Sequence, residues 1–213
     1  MRVLAVSDVV REILYTPAVR THCTGVELIL SCGDLPADYL EYLVTLLNVP
    51  LLYVHGNHDR PTHRADGTIA SGPRGGVNAD ARVTRVSSRS GQPLIVAGLE
   101  GSHFYNGGPH QYTEREMHAK ARRLSARLLV SRIRHRHGLD VLITHAAPAG
   151  IHDGTDRAHQ GFHAFRKLIE RWQPRWAIHG HVHPSYGYDT APREVGRTTV
   201  VNVFGYEIME IAP

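Results

Sequence analysis

Apolar residues come in short, nearly unbroken runs along this chain, and each run stops at a turn followed by an acid, an amide or a histidine. Val3 to Val6, Val26 to Leu30, Leu51 to Val54, Val141 to Ile143 and Trp176 to Ile178 are too short for core helices and rich in branched side chains. They predict strands buried on both faces. Between them, 37–47 carries Leu40, Leu43, Val44 and Leu47 at helical spacing. The longest helix is expected from Thr113 to Arg136, with Thr113 as its cap, Glu116 as the reciprocal partner, and an inner stripe at Leu124, Leu128 and Ile133. Phe162 to Arg171 reads as a further helix. Val83 to Val86 and Leu94 to Ala97 flank a turn at Gly91 and suggest a second sheet, and Thr198 to Phe204 and Tyr206 to Ile211 read as two strands joined near Gly205. Residues 60–81, rich in Gly and Pro and poor in periodicity, read as a long loop of the kind that faces substrates. The βαβ rhythm argues a mainly parallel sheet and leaves a three-layer α/β domain fully open.

Length and charge narrow the picture only a little. A chain of 213 residues is read as one domain over 1–213. The formal charge of +4 arises from 24 Lys and Arg against 20 Asp and Glu, with much of the excess on the helix from Thr113 to Arg136. Such a run is usually a solvated helix face, so nucleic acid is an unlikely partner on this sequence. Two cysteines do not make a disulfide framework. No apolar stretch approaches the roughly 18 residues a membrane span needs, and with no leader-like start a cytoplasmic location is the default expectation.

The chemistry lies where the strands stop. Ser7-Asp8 follows the first run, Gly33-Asp34 the second, Gly56-Asn57-His58-Asp59 the third, Thr144-His145 the fourth, and Gly180-His181-Val182-His183 the fifth. Five strand ends delivering carboxylate, amide and imidazole are what an open α/β sheet needs to build a site at its C-terminal edge. Carboxylate oxygen and neutral imidazole nitrogen on rigid elements are donors for hard or borderline divalent metals. Asp34 can bridge two ions, and His181 and His183, two apart on extended chain, project to one side.

Together these blocks resemble the calcineurin-like metallophosphoesterases, whose signature runs Asp-x-His, Gly-Asp, Gly-Asn-His-Asp/Glu, His and Gly-His-x-His. The blocks stand in that order from Asp8 to His183, with one departure: the first reads Asp8-Val9-Val10, so Val10 stands where the family has a metal-binding histidine. The resemblance implies an α/β fold, a four-layer αββα sandwich of two mixed β-sheets flanked by helices. It also implies two divalent ions, with Mn²⁺, Fe²⁺ or Fe³⁺, Zn²⁺ and Ni²⁺ as the candidates. One would be held by Asp34, Asn57, His145 and His181. The other, held by Asp8, Asp34 and His183, would be weaker for want of the histidine. If the chain were extended here, Val10 would lie on the same side as Asp8, so Val10→His would restore that ligand. His58 is implied to protonate the leaving oxygen, with Asp59 as its orienting partner.

The expected activity is metal-dependent hydrolysis of phosphomonoesters or phosphodiesters through a metal-bridging hydroxide, on a small phosphoester substrate. A binding or scaffold protein on the same fold is the alternative, and a nuclease, resting only on the basic helix, a third. His103, Tyr105, His110, His152 and His159 lie in loops beside the motif segments and are candidates for lining the substrate pocket.

Overall fold

The computed structural model describes residues 1–63 and 67–211. Its elements in chain order are β1 (Arg2–Ser7), β2 (Val26–Ser31), α1 (Ala37–Leu47), β3 (Leu51–Tyr53), β4 (Gly76–Asn78), β5 (Val83–Ser87), β6 (Pro93–Leu99), α2 (Glu114–His135), β7 (Val141–Thr144), α3 (His163–Trp172), β8 (Trp176–His179), β9 (Arg193–Val195), β10 (Thr198–Asn202) and β11 (Gly205–Glu210), besides a few shorter pieces. The expected loop over 60–81 contains β4 and a two-residue ribbon of Thr62–His63 with Ile69–Ala70, while its residues 64–66 lie outside those described.

Two mixed sheets result. The first has the order β11-β1-β2-β3-β4, with β11 antiparallel to β1 and the rest parallel. The second runs β9-β10-β8-β7-β6-β5, with antiparallel edges at β9 and β5 around four parallel strands. The strands expected on either side of Gly205 therefore belong to different sheets: after β10 the chain crosses over and closes the first sheet as β11.

Strand alternation explains the layering. Val3 and Ala5 of β1, Leu28 and Leu30 of β2, and Leu52 and Val54 at β3 meet Leu94 and Val96 of β6, Val141 and Ile143 of β7 and Ile178 of β8 in a core between the sheets. The alternate residues Leu4, Val6, Ile29, Leu51 and Tyr53 face outward onto Tyr39, Leu40 and Leu43 of α1. On the far side Ile95, Ala97, Leu99 and Leu142 pack under Leu124 and Leu128 of α2 and Phe165, Leu168 and Ile169 of α3. Each strand feeds two cores, which is why its apolar run is unbroken rather than alternating. The four-layer αββα sandwich is thus the architecture observed, not the three-layer one.

Helix α1 has the expected bounds, and α2 carries the expected capping box, with the Thr113 side chain accepting from Glu116 N–H and Glu116 reaching back to Thr113 N–H. One expectation fails. Ile133 is 72% exposed, because five residues after Leu128 it sits about 140° round the helix from the buried stripe of Met117, Ala121, Leu124 and Leu128. Glu114 at the start of α2 caps the next helix as well, its carboxylate accepting from the N–H groups of His163 and Ala164 at the head of α3.

Candidate metal centre

Because β1, β2 and β3 are parallel, as are β7 and β8, their C-terminal ends deliver the five motif segments to one edge of the sandwich. Three of the residues there adopt left-handed backbone: Asp8 at φ 63°, Asp34 at 56° and His181 at 68°. Such conformations cost a non-glycine residue roughly 1 kcal/mol or more each, and they cluster where a site over-determines them. The neighbouring glycines have a steric reason. A Cβ on Gly56 would fall on Asp34 Oδ1 and one on Gly180 on Ser7 Oγ, so these loops approach closely enough to exclude any side chain.

Asp34, His145 and His181 are the trio of donors that converges among the described residues, each offering a ligand atom within 4.8 Å of the others. His145 is fully buried, and its Nδ1–H donates to Cys32 O at 2.7 Å. That bond leaves Nε2 to face Asn57 Oδ1 at 3.0 Å and Asp34 Oδ2 at 3.3 Å, with a proton on it in the metal-free site and its lone pair free for a cation once that proton leaves. His181 is fixed likewise, with Nε2–H donating to Ala158 O at 2.8 Å, so its Nδ1 carries the lone pair. Asn57 donates from Nδ2 to the Tyr105 hydroxyl at 3.1 Å, which sets its amide so that Oδ1 points at His145.

The electrostatics match this geometry. Burial alone would depress His145, but the Asp34 and Asp8 carboxylates outweigh it and raise its pKa to about 9. Burial, with His145 beside it, pushes His181 down to about 4. Burial would raise the Asp34 carboxyl, yet His145 and the His58 N–H, which donates to Oδ1 at 2.8 Å, hold it well below its ordinary value. Asp8 is held low against the same burial by His183, whose Nε2 lies 3.6 Å from Oδ1, and by His145. Its Oδ2 accepts from His181 N–H at 2.9 Å.

The remaining candidates divide. His58 is exposed at the mouth of the site. Asp59 turns to the backbone instead of to His58: its Oδ2 accepts from Gly56 N–H at 2.8 Å and Asp34 N–H at 3.1 Å and lies 3.6 Å from His55 Nδ1. Tyr105 and His159 are brought to the centre, His159 with its ring 5.0 Å from that of His181. His103 stacks on Phe162 and His110 on His55, while His152 is buried against His179. These three take part in packing and hydrogen bonding away from the trio. Val10 is half-buried and packs against the outer cluster that holds Leu4, Val6 and Leu14. The expectation that it faces the metals rested on extended chain, and the left-handed turn at Asp8, with Val9 N–H bonded to Ser7 O, breaks that alternation.

Sequence reasoning missed an aromatic wall beside the histidines. Tyr186 stacks on His183 with centroids 4.9 Å apart, Phe204 lies against the same ring at 4.5 Å, and Tyr188 flanks His159 at 6.1 Å. The run Pro184-Ser185-Tyr186-Gly187-Tyr188 directly after His183 was the available signal.

A two-sheet sandwich with a carboxylate–imidazole centre at its strand ends defines a class of metal-site α/β proteins. The Calcineurin-like phosphoesterase superfamily domain matches residues 1–203, and the chain belongs to that superfamily. Its fold is similar to that of TT1561 of Thermus thermophilus, at TM-score 0.62 and 19% identity over 99% of both chains. It is also similar to GAP50, the anchor in the inner membrane complex of Plasmodium, at TM-score 0.54 and 13% identity over 95% of this chain and 70% of that one. No curated protein matches the sequence. Among the described residues, no helix is long and apolar enough to cross a membrane.

Proposed function

We propose that this chain is a metal-dependent hydrolase of small phosphoric mono- or diesters. One observation carries the reading: Nε2 of His145, Oδ2 of Asp34 and Oδ1 of Asn57 face one another, and with His145 Nδ1–H donating a hydrogen bond to Cys32 O the two oxygens are satisfied either by a proton on Nε2 or by a cation among the three atoms. Only a proton or a cation relieves that arrangement, and the oxygen and imidazole donors fit a divalent cation. Asp34, Asn57, His145 and His181 would hold one ion, and Asp8, Asp34 and His183 a second, weaker one. Bound there, divalent ions supply Lewis acidity that polarises phosphoryl oxygens and acidifies water.

The chain's own residues do the rest. Cys32 O and Ala158 O fix the tautomers of His145 and His181, and Tyr105 fixes the Asn57 amide. The Asp34 carboxylate anchors the backbone N–H of His58, so the His58 imidazole stands at the mouth of the site, where it can give a proton to a leaving oxygen. Next to it a pocket of about 250 Å³, walled by Leu35, Pro36, Tyr53, Arg60 and Pro73, has room for a small leaving group.

Val10 in place of a histidine leaves the first motif one ligand short, and its packing against the outer cluster favours a second reading: a binding or scaffold protein with weak or no catalysis. Metal analysis of the purified protein, with a screen of p-nitrophenyl phosphate and bis(p-nitrophenyl) phosphate in Mn²⁺, decides between them. Turnover of either ester supports the hydrolase. Bound metal with no turnover on any ester supports the scaffold.

A further inference from the structure

The basic helix expected from the sequence does not present its charge evenly. Helix α2 carries seven Lys and Arg against two Glu, more than the whole chain's excess of +4, so the remainder of the protein is close to neutral. Its Lys120 is drawn inward to Asp80 and Glu100. Its remaining basic side chains are exposed, and part of them line a groove between α2 and α3 with a volume of about 680 Å³.

Two facing stripes build that groove. From α2 come Arg115, Ala119, Arg122, Ala126 and Leu129, and from α3 come Ala164, Lys167, Leu168 and Arg171, each set at the three- and four-residue spacing of one helix face. The floor is apolar and made of small residues, which keeps it open. Among the described residues, every ionisable side chain on the rim is basic or histidine, and no carboxylate lines the groove. The nearby acids already have partners: Glu114 caps α3 and lies 3.2 Å from His118 at the groove's edge, and Glu170 pairs with Arg166. At one end Leu129 is 51% exposed, and the stripe of uncovered apolar surface continues over Val130 and Ile133.

We infer that this groove is a docking site for an acidic amphipathic peptide segment of another protein, its apolar side chains on the small-residue floor and its carboxylates on Arg115, Arg122, Lys167 and Arg171. An apolar floor without an aromatic platform favours a peptide over nucleic acid, which stacks its bases on aromatic rings. The site lies on the helical face outside the second sheet, apart from the metal centre, and holds whether or not the chain hydrolyses esters.

The test is fluorescence polarisation of the intact protein with labelled peptides patterned so that one helical face is Glu and the other Leu. Binding should be saturable and should weaken between about 50 mM and about 500 mM salt. Replacing Glu by Lys, or Leu by Ser, should each remove it. The exposed triple variant Arg122→Glu/Lys167→Glu/Arg171→Glu should weaken binding at least about tenfold. Reversals at Arg20, Arg85 and Arg89 on other surfaces should leave it within about twofold. Leu129→Ser should weaken binding without any change of charge. Equal binding of the Glu and Lys peptides, equal loss from both triple variants, or tighter binding of a single-stranded RNA oligonucleotide to the same groove would overturn the proposal.

Discussion

At the scale of single residues, the proposed roles separate into side chains that would hold an ion and one that would move a proton. Asp34 faces His145 and anchors His58, so Asp34→Ala should remove binding at both metal positions, whereas Asp8→Ala should weaken only the second. Calorimetric titration of wild-type protein with Mn²⁺ should resolve two unequal affinities, and equal tight sites would show that a residue outside the named set completes the second. His58 contributes its ring to the mouth of the site and only its backbone to Asp34. Hence His58→Ala should lower kcat by roughly 10²- to 10⁴-fold on an ester with a poor leaving group, and far less on an activated nitrophenyl ester. Metal content should be unchanged, and loss of metal in this variant would make His58 a ligand. Val10→His should leave the affinity of the second ion where it is, since the side chain at this position packs into the outer core. A tighter second site in that variant would show that position 10 can reach the ions.

At the scale of elements, caps and crossings set what each segment can do. The Thr113–Glu116 box satisfies donors at the head of α2, so Thr113→Ala should cost about 1 kcal/mol, read as a lower urea midpoint at unchanged slope. No loss would mean that the packing of Met117 and Leu124 alone holds the helix start. The same elements show what a sequence discloses. Strands β1, β2, β3, β7 and β8 were legible because burial on two faces makes them unbroken apolar runs, and the metal candidates because each stands directly after its strand. The edge strands β4 and β9 were not, since Gly76-Val77-Asn78 and Arg193-Glu194-Val195 have little apolar character to betray pairing made on one side. Ile133 is apolar but falls off the three- and four-residue spacing of Leu124 and Leu128, so it faces away from the core. Nor could spacing reveal that Cys32 O and Ala158 O select the histidine tautomers, or that His103 and His110 stack on Phe162 and His55, because those contacts join segments far apart in the chain.

At the scale of the molecule, a buried charge cluster fastens the second sheet to α2 and to the loop that carries Tyr105. Glu100, just after β6, accepts from the Tyr112 hydroxyl and Lys120 and lies 3.4 Å from His110. Burial would raise its carboxyl, but His110, Lys120 and Tyr112 hold its pKa down at about 2, against an ordinary 4.5. A depressed carboxyl of this kind stabilises the fold fully above about pH 4.5, and the contribution is lost as pH falls toward 2. Glu100→Gln should therefore melt below wild type at neutral pH, and the gap should close between pH 4.5 and 2. A gap that stays constant through that window would mean that the cluster acts through packing and not through charge. The central claim is that these strand ends form a metal centre that hydrolyses phosphoric esters. Its most direct test is ester hydrolysis by one preparation before chelation, after chelation and after return of Mn²⁺, run alongside Asp34→Asn. The expected result is activity that vanishes with the metal, returns with it, and stays absent in Asp34→Asn. Hydrolysis that survives chelation, or that Asp34→Asn retains in full, would contradict the claim.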